Sequence, residues 1–285
     1  MYIDSHAHLF SAEYSDELHD VIERARDAGV ERIVVPGTDE KTSREALELA
    51  DRYDFIFACV GFHPHEAAHA SDTLLSEIES MTAHPKVVGV GEIGLDYHYN
   101  FSPRDLQKNV FKLQIELAAR KNLPIVVHTR DSLEDTLNIV DACVSNLPRW
   151  GDVDGLVGGR KPTGRGVFHC FTGTAIEARH LFNKGFFVSY PGIVTFKNSP
   201  AAETLKEIGC GNILLETDSP YLSPAPMRGK RNEPAYVIHV GRKVSELLGL
   251  PEADVAATTS LNARTLFGLE ANGGRAVSFD SHFKP

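Results

Sequence analysis

At 285 residues, 42% of them hydrophobic, the chain is long enough for one large α/β domain or two small ones, and a sizeable core needs no disulfides. A formal net charge of −10 argues against a protein that coats nucleic acid through a basic surface, because such binding relies on Lys and Arg displacing counterions. It leaves nucleic acid open as a substrate, since a site with divalent metals carries its own positive charge.

No apolar run approaches the roughly 18 residues of a membrane span, and the N-terminus lacks the basic, apolar and small-residue regions of a signal peptide. Cys59, Cys143, Cys170 and Cys210 are scattered and form no C-x-x-C pair, which suits reduced, packed thiols. A cytoplasmic protein without membrane association is expected, and nothing marks an obligate protein partner.

The chain alternates short β-rich apolar runs with longer amphipathic ones. "MYIDSH" predicts the first strand, and behind it Leu18, Val21, Ile22, Ala25 and Ala28 share a helical face that Gly29 ends. "RIVVPG", "FIFACVGF" and "KVVGVGEIG" follow as strands, separated by the helices "EKTSREALELADRY" and "SDTLLSEIESM". After "EIGLDY", the run "SPRDLQKNVFKLQIELAARK" predicts a helix. There Ser102 can cap, Pro103 suits the first turn and Asp105 favours the N-terminal dipole. Leu106, Val110, Leu113 and Leu117 recur at its period. Next come "LPIVVH", the helix "DSLEDTLNIVDACV", "GVFHCF", the helix "AIEARHLFNKG", "FFVSY", a short helix near Ala201 to Glu207, and "NILLETD".

Strands alternating with helices imply a parallel sheet, and near-continuous apolar strands imply one covered on both faces. Eight such units in under 300 residues predict a single (β/α)8 TIM barrel with its site at the C-terminal ends of the strands. An open doubly wound sheet is the competing architecture, but it should bring a Gly-rich phosphate loop after the first strand, where this chain has histidines. Ser145 to Gly166, with Arg160, Lys161 and Arg165, reads as a long loop between the fifth helix and sixth strand. Residues 1–269 are read as the barrel and residues 270–285 as a weakly ordered tail.

The predicted strand ends share one chemistry. His6 and His8 close the first, His63 and His65 the third, Glu92 and Asp96 the fourth, His128 the fifth, His169 the sixth, and Glu216 and Asp218 the eighth. Residues i and i+2 of a strand share a face, so His6 and His8 can reach one ion. A lone histidine at such a place is usually structural, but repetition around a barrel mouth is hard to attribute to packing. Imidazole and carboxylate donors suit Zn, Mn, Fe, Co or Ni, and Mg where positions stay open. The set His6, His8, Glu92, His128, His169 and Asp218 is too large for one catalytic ion, and suits two with Glu92 between them.

The motifs "DSHAHL", "GFHPH", "GEIGLDY", "PIVVHTR", "FHCFTG", "ETDSPYLSP", "RGKRNEP" and "NARTLFGL", in that order over about residues 1 to 269, resemble the TatD family of metal-dependent deoxyribonucleases in the amidohydrolase superfamily. The resemblance implies that His6, His8, Glu92 and Asp218 hold one divalent ion and Glu92, His128 and His169 another. The ions would be Mg, Mn or Zn. It also implies that His63 contacts the scissile phosphate, and that the substrate is DNA, as single strands or 3′ ends cut by a 3′–5′ exonuclease. The chain departs from the family in its long loop before "GVFHCF" and in Thr172, where Ser is usual.

Two ions can activate a water and polarise a phosphoryl oxygen together. Asp218 is the candidate general base, with a ligand-only role as the alternative, and Glu92 is the second catalytic carboxylate. Arg130 can clamp phosphate or pair with Asp131 or Glu134. Arg228, Lys230 and Arg231 lie in the loop after the eighth strand and read either as substrate contacts or as a solvated charge run. His65 is a weaker candidate for the site. Asp4, Asp96 and Glu216 are read as carboxylates that orient ligand histidines from behind. Tyr97 and Phe171 could stack on bases or belong to the core. Two other functions fit the scaffold. One is a small-molecule amidohydrolase such as a lactonase, cyclic amidase or deaminase, which would not need the cations. The other is a non-catalytic barrel that recruits a partner, which would not need a full donor set.

Overall fold

The computed structural model describes residues 1–147, 150 and 164–269. Its eight parallel strands are β1 (Tyr2–Asp4), β2 (Val30–Pro36), β3 (Ile56–Val60), β4 (Val87–Asp96), β5 (Ile125–Arg130), β6 (Gly166–Phe168), β7 (Phe186–Tyr190) and β8 (Ile213–Leu215). They pair in chain order. The helices between them are α1 (Leu18–Asp27), α2 (Glu40–Arg52), α3 (Asp72–Met81), α4 (Arg104–Lys121), α5 (Leu133–Asn146), α6 (Ala175–Asn183) and α7 (Pro200–Ile208). Two more, α8 (Val237–Leu248) and α9 (Glu252–Phe267), follow β8. This is the predicted TIM barrel. Among the described residues no helix is long and apolar enough to cross a membrane.

Strand alternation divides the apolar residues into two cores. Ile33, Val35, Ile56, Ala58, Ile125 and Val127 point outward and pack with the helices. Their neighbours Val34, Phe57, Val88, Val126, Val167, Phe187 and Leu214 point inward, where Ala263, Leu266 and Phe267 of α9 join them. The end of α9 therefore plugs the barrel interior, and the polar strand ends are left for the opposite mouth.

The seam between first and last strands closes through their extensions. Ser5 N–H donates to the Leu215 carbonyl at 3.0 Å, Asp218 N–H to His6 at 2.9 Å, and His8 N–H to Ser219 at 2.8 Å. β1 itself ends at Asp4, with an irregular register between Tyr2 and Ile3, so the histidines lie beyond the strand predicted to contain His6.

Helix α4 differs most from its sequence reading. Its N-cap is Pro103, one residue after the expected Ser102, whose hydroxyl instead donates to the His65 carbonyl at 2.7 Å. Leu106 and Leu113 are exposed, whereas Gln107 and Gln114 are buried with Val110, Phe111, Ile115 and Leu117. The glutamines face the barrel because each satisfies a backbone pair at a strand end. Gln107 accepts from Asp96 N–H at 2.9 Å and donates to its carbonyl at 3.0 Å, and Gln114 does the same for Phe62 at 2.7 and 3.0 Å. An amide buried this way loses little, since both its donor and acceptor are paired.

Of the long segment predicted before β6, Arg165 is described, and its guanidinium caps the Lys184 carbonyl at 2.6 Å. Arg160 and Lys161 lie outside the described residues, as does the predicted tail, 270–285. All four cysteines are free thiols.

Candidate metal centre

The donor residues converge on Glu92, whose carboxylate is almost fully buried and faces two ways. Its Oε2 lies 3.5 Å from His6 Nε2 and 3.6 Å from His8 Nε2. Asp218 Oδ1 closes that side at 3.8 and 3.6 Å from the same two nitrogens. The other oxygen, Oε1, lies 2.8 Å from His169 Nε2, 2.9 Å from His128 Nδ1 and 3.6 Å from His63 Nε2. One carboxylate thus divides the donors into two sets.

The donors come from five strands: His6 and His8 follow β1, Glu92 lies in β4, His128 in β5, His169 follows β6 and Asp218 follows β8. Glu92 N–H donates at 2.8 Å to the carbonyl of Gly37, just past β2, and His169 N–H at 3.0 Å to Val127 of the neighbouring β5. Asp218 has φ +55°, a left-handed conformation that Asp tolerates better than most residues. The turn aims its carboxylate back toward His6 and His8.

These atoms suit a cation and suit one another poorly. His6 Nε2 and His8 Nε2 are 3.2 Å apart, and so are His128 Nδ1 and His169 Nε2. Two ring nitrogens in such contact need one shared proton or a positive ion between their lone pairs. Three triplets of donors lie within 4.8 Å of one another: His6, His169 and Asp218; His6, His8 and Glu92; and His63, Glu92 and His128. All are nitrogen or oxygen, which fits divalent zinc, manganese or magnesium rather than a thiolate-loving ion.

The local charges reinforce one another. Burial would raise the Glu92 carboxyl, but His169, His63 and His6 outweigh it and hold it well below the ordinary range. His169 is shifted the other way: burial opposes its protonation, and Glu92 and Glu216 hold it well above the usual imidazole value. Burial lowers His6 and His63. Burial would also raise Asp218, which stays below its usual value because His8, His6 and His169 surround it.

Behind the donors sit three carboxylates with different contacts. Asp96 Oδ2 is 3.2 Å from His128 Nε2 and 2.9 Å from His65 Nε2, so it braces a ring that also meets Glu92. Glu216 lies 3.6 Å from His169 Nδ1 and accepts from Cys170 N–H at 2.7 Å and the Ser189 hydroxyl at 2.5 Å. Asp4 departs from its sequence reading as an orienter of an imidazole ring. Its carboxylate accepts from Thr217 N–H at 2.9 Å, the Thr217 hydroxyl at 2.6 Å and His6 backbone N–H at 3.3 Å. The alternation that would turn Asp4 toward the rings ends with β1, and the side chain clamps the seam instead.

The cations of the sequence reading separate. Arg130 is exposed, with its guanidinium carbon 4.9 Å above the Tyr99 ring rather than paired with Asp131 or Glu134. Arg228 lies 3.8 Å over Phe196, and Lys230 is exposed. Arg231 is held by partners in the segment between β1 and α1. It donates to Glu17 Oε1 at 2.7 Å and to the Glu13 carbonyl, and covers the Tyr14 ring at 4.8 Å. The next two residues fasten the same loop: Asn232 donates to the Thr217 carbonyl at 2.8 Å, and Glu233 takes a bidentate bond from Arg24.

The two aromatic candidates are also closed to a base. Phe171 is buried against Tyr190, and Tyr97 is half-buried under Arg104, with its hydroxyl on Asp135 at 2.7 Å. His65, a weak candidate by sequence, sits between Asp96 and the exposed ring of Phe101, 4.7 Å away.

The chain is similar to known proteins along nearly its whole described length. The profile of the TatD related DNase family matches residues 3–268. The chain is 44% identical over 268 residues to the "Uncharacterized metal-dependent hydrolase YabD" of Bacillus subtilis (strain 168), covering 94% of this chain and 99% of that protein. It is 32% identical over 272 residues to the "3'-5' ssDNA/RNA exonuclease TatD" of Escherichia coli (strain K12), covering 93% and 98%. The crystal structure of YJJV, a TatD homolog from Escherichia coli K12, matches with a TM-score of 0.83 at 28% identity, over 94% of this chain and 98% of that one.

Proposed function

The chain belongs to the TatD related DNase family of metal-dependent hydrolases, and from that membership we propose that it hydrolyses DNA phosphodiester bonds as a 3′–5′ exonuclease acting on single strands or frayed ends. The observation that carries the reading is the division of donors by Glu92, with His6 and His8 at Oε2 and His128 and His169 at Oε1. It supports two divalent ions, magnesium, manganese or zinc. His6, His8, Glu92 and Asp218 would hold one, and Glu92, His128 and His169 the other. The relatives named single-stranded DNA and RNA exonucleases support the substrate class.

Bound divalent ions of this kind supply a nucleophilic water and charge stabilisation for a phosphoryl oxygen. The chain's own role is proton transfer and placement. Asp218 is the base: its carboxylate is held ionised beside the donors, 13% exposed at the mouth, and takes the proton of the attacking water. His63 is buried and drawn below the usual imidazole range, so it acts neutral, and its Nε2 can donate to a phosphate oxygen. Pro64 follows it, and the His63 ring accepts from His65 N–H at 3.2 Å, which fixes the ring while Nε2 stays turned to Glu92. Asp96 keeps His128 oriented from behind.

The test is hydrolysis of a 5′-labelled single-stranded oligonucleotide, in DNA and RNA forms, across magnesium, manganese and zinc. Wild type is expected to shorten the DNA from its 3′ end, and Glu92→Ala and Asp218→Asn to lose nearly all of that activity. A wild type that cuts neither polymer with any of these ions, or a fully active variant, would refute the nuclease assignment.

A further inference from the structure

Among the described residues, the exposed aromatic side chains are Tyr99, Phe101 and Tyr221, and all three lie in loops at the mouth of the barrel. Tyr99 and Phe101 share the loop from β4 to α4. Phe101 is 65% exposed, its ring 5.4 Å from Tyr99, and the Arg130 guanidinium covers Tyr99. Singly exposed rings are ordinary on a protein surface, but two adjacent ones with a planar cation between water and the second are not explained by core packing.

The loop that carries them is held at both ends. Asp96 Oδ1 accepts from the backbone N–H of His98 at 2.9 Å and of Tyr99 at 3.2 Å. At the far end Gln107 donates to the Ser102 carbonyl at 2.9 Å, and the Ser102 hydroxyl donates to His65. The rings therefore project from a fixed backbone. They also adjoin the donor cluster: His65 touches Phe101 on one side and lies 4.3 Å, ring to ring, from His63 on the other.

We propose that Tyr99, Phe101 and Arg130 form a shelf on which a base of single-stranded nucleic acid stacks, next to the phosphate to be cut. The inference rests on the nuclease reading above and adds a cause for strand preference. A flat aromatic face accepts any base, with deoxyribose or ribose behind it, but it needs the base unstacked from its neighbours. A duplex hides those faces, and a single strand or frayed end presents them. Arg130 extends the stacking plane and keeps its charge for an adjoining phosphate. A fixed loop spares the ordering cost that a mobile one would add on binding.

The experiment uses the metal-loaded full chain and two labelled single-stranded DNA oligomers, one natural and one with abasic residues at its last three 3′ positions. Binding is read by fluorescence anisotropy before cleavage develops, and KM and kcat by product release. Tyr99→Ala/Phe101→Ala, and separately Phe101→Leu, are expected to weaken binding and raise KM for the natural oligomer by about 5- to 150-fold, the range for loss of a base stack. The abasic oligomer should bind wild type and variants alike, and kcat should hold. Equal losses on both oligomers would reduce the rings to props for His65, and no loss on the natural one would overturn the shelf. Failure of the nuclease reading shows separately, as a wild type that cuts nothing. Binding still decides then: base-dependent affinity lost in the variants supports the shelf, and wild-type affinity indifferent to the bases refutes it.

Discussion

Thr217 donates to Asp4 twice, from its backbone nitrogen at 2.9 Å and its hydroxyl at 2.6 Å, and so joins the first strand to the eighth just before His6 and Asp218. Both residues are fully buried. Asp4→Asn keeps the shape, since an amide oxygen can accept the backbone N–H groups while its nitrogen donates to the hydroxyl. Asp4→Ala leaves buried donors unpaired, at about 1–3 kcal/mol for each. The alanine variant is expected to unfold at lower urea and to lose metal on dialysis, and the asparagine variant to keep most of both. Wild-type stability and metal content in Asp4→Ala would show that the seam needs no clamp.

Asp96 braces His128 and His65 with one oxygen and holds two backbone N–H groups with the other. Asp96→Asn retains an acceptor for the backbone but removes the charge behind the rings. Loss of such a partner typically costs about 10–100-fold in metal affinity or activity. Metal titration of the variant should show a loss of that order with little change in unfolding. Unchanged affinity would leave Asp96 as an anchor of the Tyr99 loop alone.

The period of eight strands, and the donors at their ends, can be read from the chain because a parallel barrel needs continuous apolar strands and turns abruptly polar at its mouth. His6 and Glu92 stand where that change occurs. Features that depend on tertiary pairing are harder to read. Gln107 and Gln114 look like solvent-facing residues, and nothing local says that strand-end backbone groups await them, so periodicity alone assigns Leu106 and Leu113 to the buried stripe. Arg231 looks equivalent to Arg228 and Lys230 until Glu17, 214 positions away, takes its guanidinium. Tyr97 and Tyr99 differ by two positions and each lies under an arginine, and only the further bond of Tyr97 to Asp135 marks it as the half-buried ring of the two.

Metal removal should cost stability as well as activity. Glu92 and Asp218 press carboxylates against imidazoles whose lone pairs face one another, and a cation relieves those contacts. At a free ion concentration of about 100 Kd the stabilisation is about 2.7 kcal/mol per site. Chelation is expected to lower Tm and abolish hydrolysis, with both restored by the added ion. In Glu92→Gln the same addition should move Tm much less. A chelator-treated wild type that melts as before would mean that these donors hold no ion.

The three cations of the loop after β8 should behave differently. Arg228 and Lys230 are exposed, whereas Arg231 is committed to Glu17, Glu13 and Tyr14. On a single strand, every phosphate that the protein ceases to neutralise lowers the slope of log affinity against log salt by about 0.7. Arg228→Ala and Lys230→Ala should each reduce that slope without changing Tm. Arg231→Ala should lower Tm and leave the slope alone. The opposite pattern would assign the phosphate to Arg231.

Gly94 stands beside His128 in the pairing of β4 with β5, and a Cβ added there would lie 2.1 Å from the His128 carbonyl oxygen. Its φ of +144° also suits glycine. Gly94→Ala must push neighbouring central strands away from each other at the point where one of them carries a donor. Overpacking of this kind costs about 1–3 kcal/mol, and displacement of His128 should follow. Gly209, with φ +68° and open space around it, is the control, because alanine there meets the backbone strain alone. Unfolding curves and metal analysis of the two variants should separate the effects. Gly94→Ala is expected to lose stability and metal together, and Gly209→Ala, whose φ of +68° and ψ of −169° are essentially glycine-only, about 1–3 kcal/mol of stability with its metal intact. A Gly94→Ala protein that binds metal as wild type does would show that His128 tolerates a shift in β4.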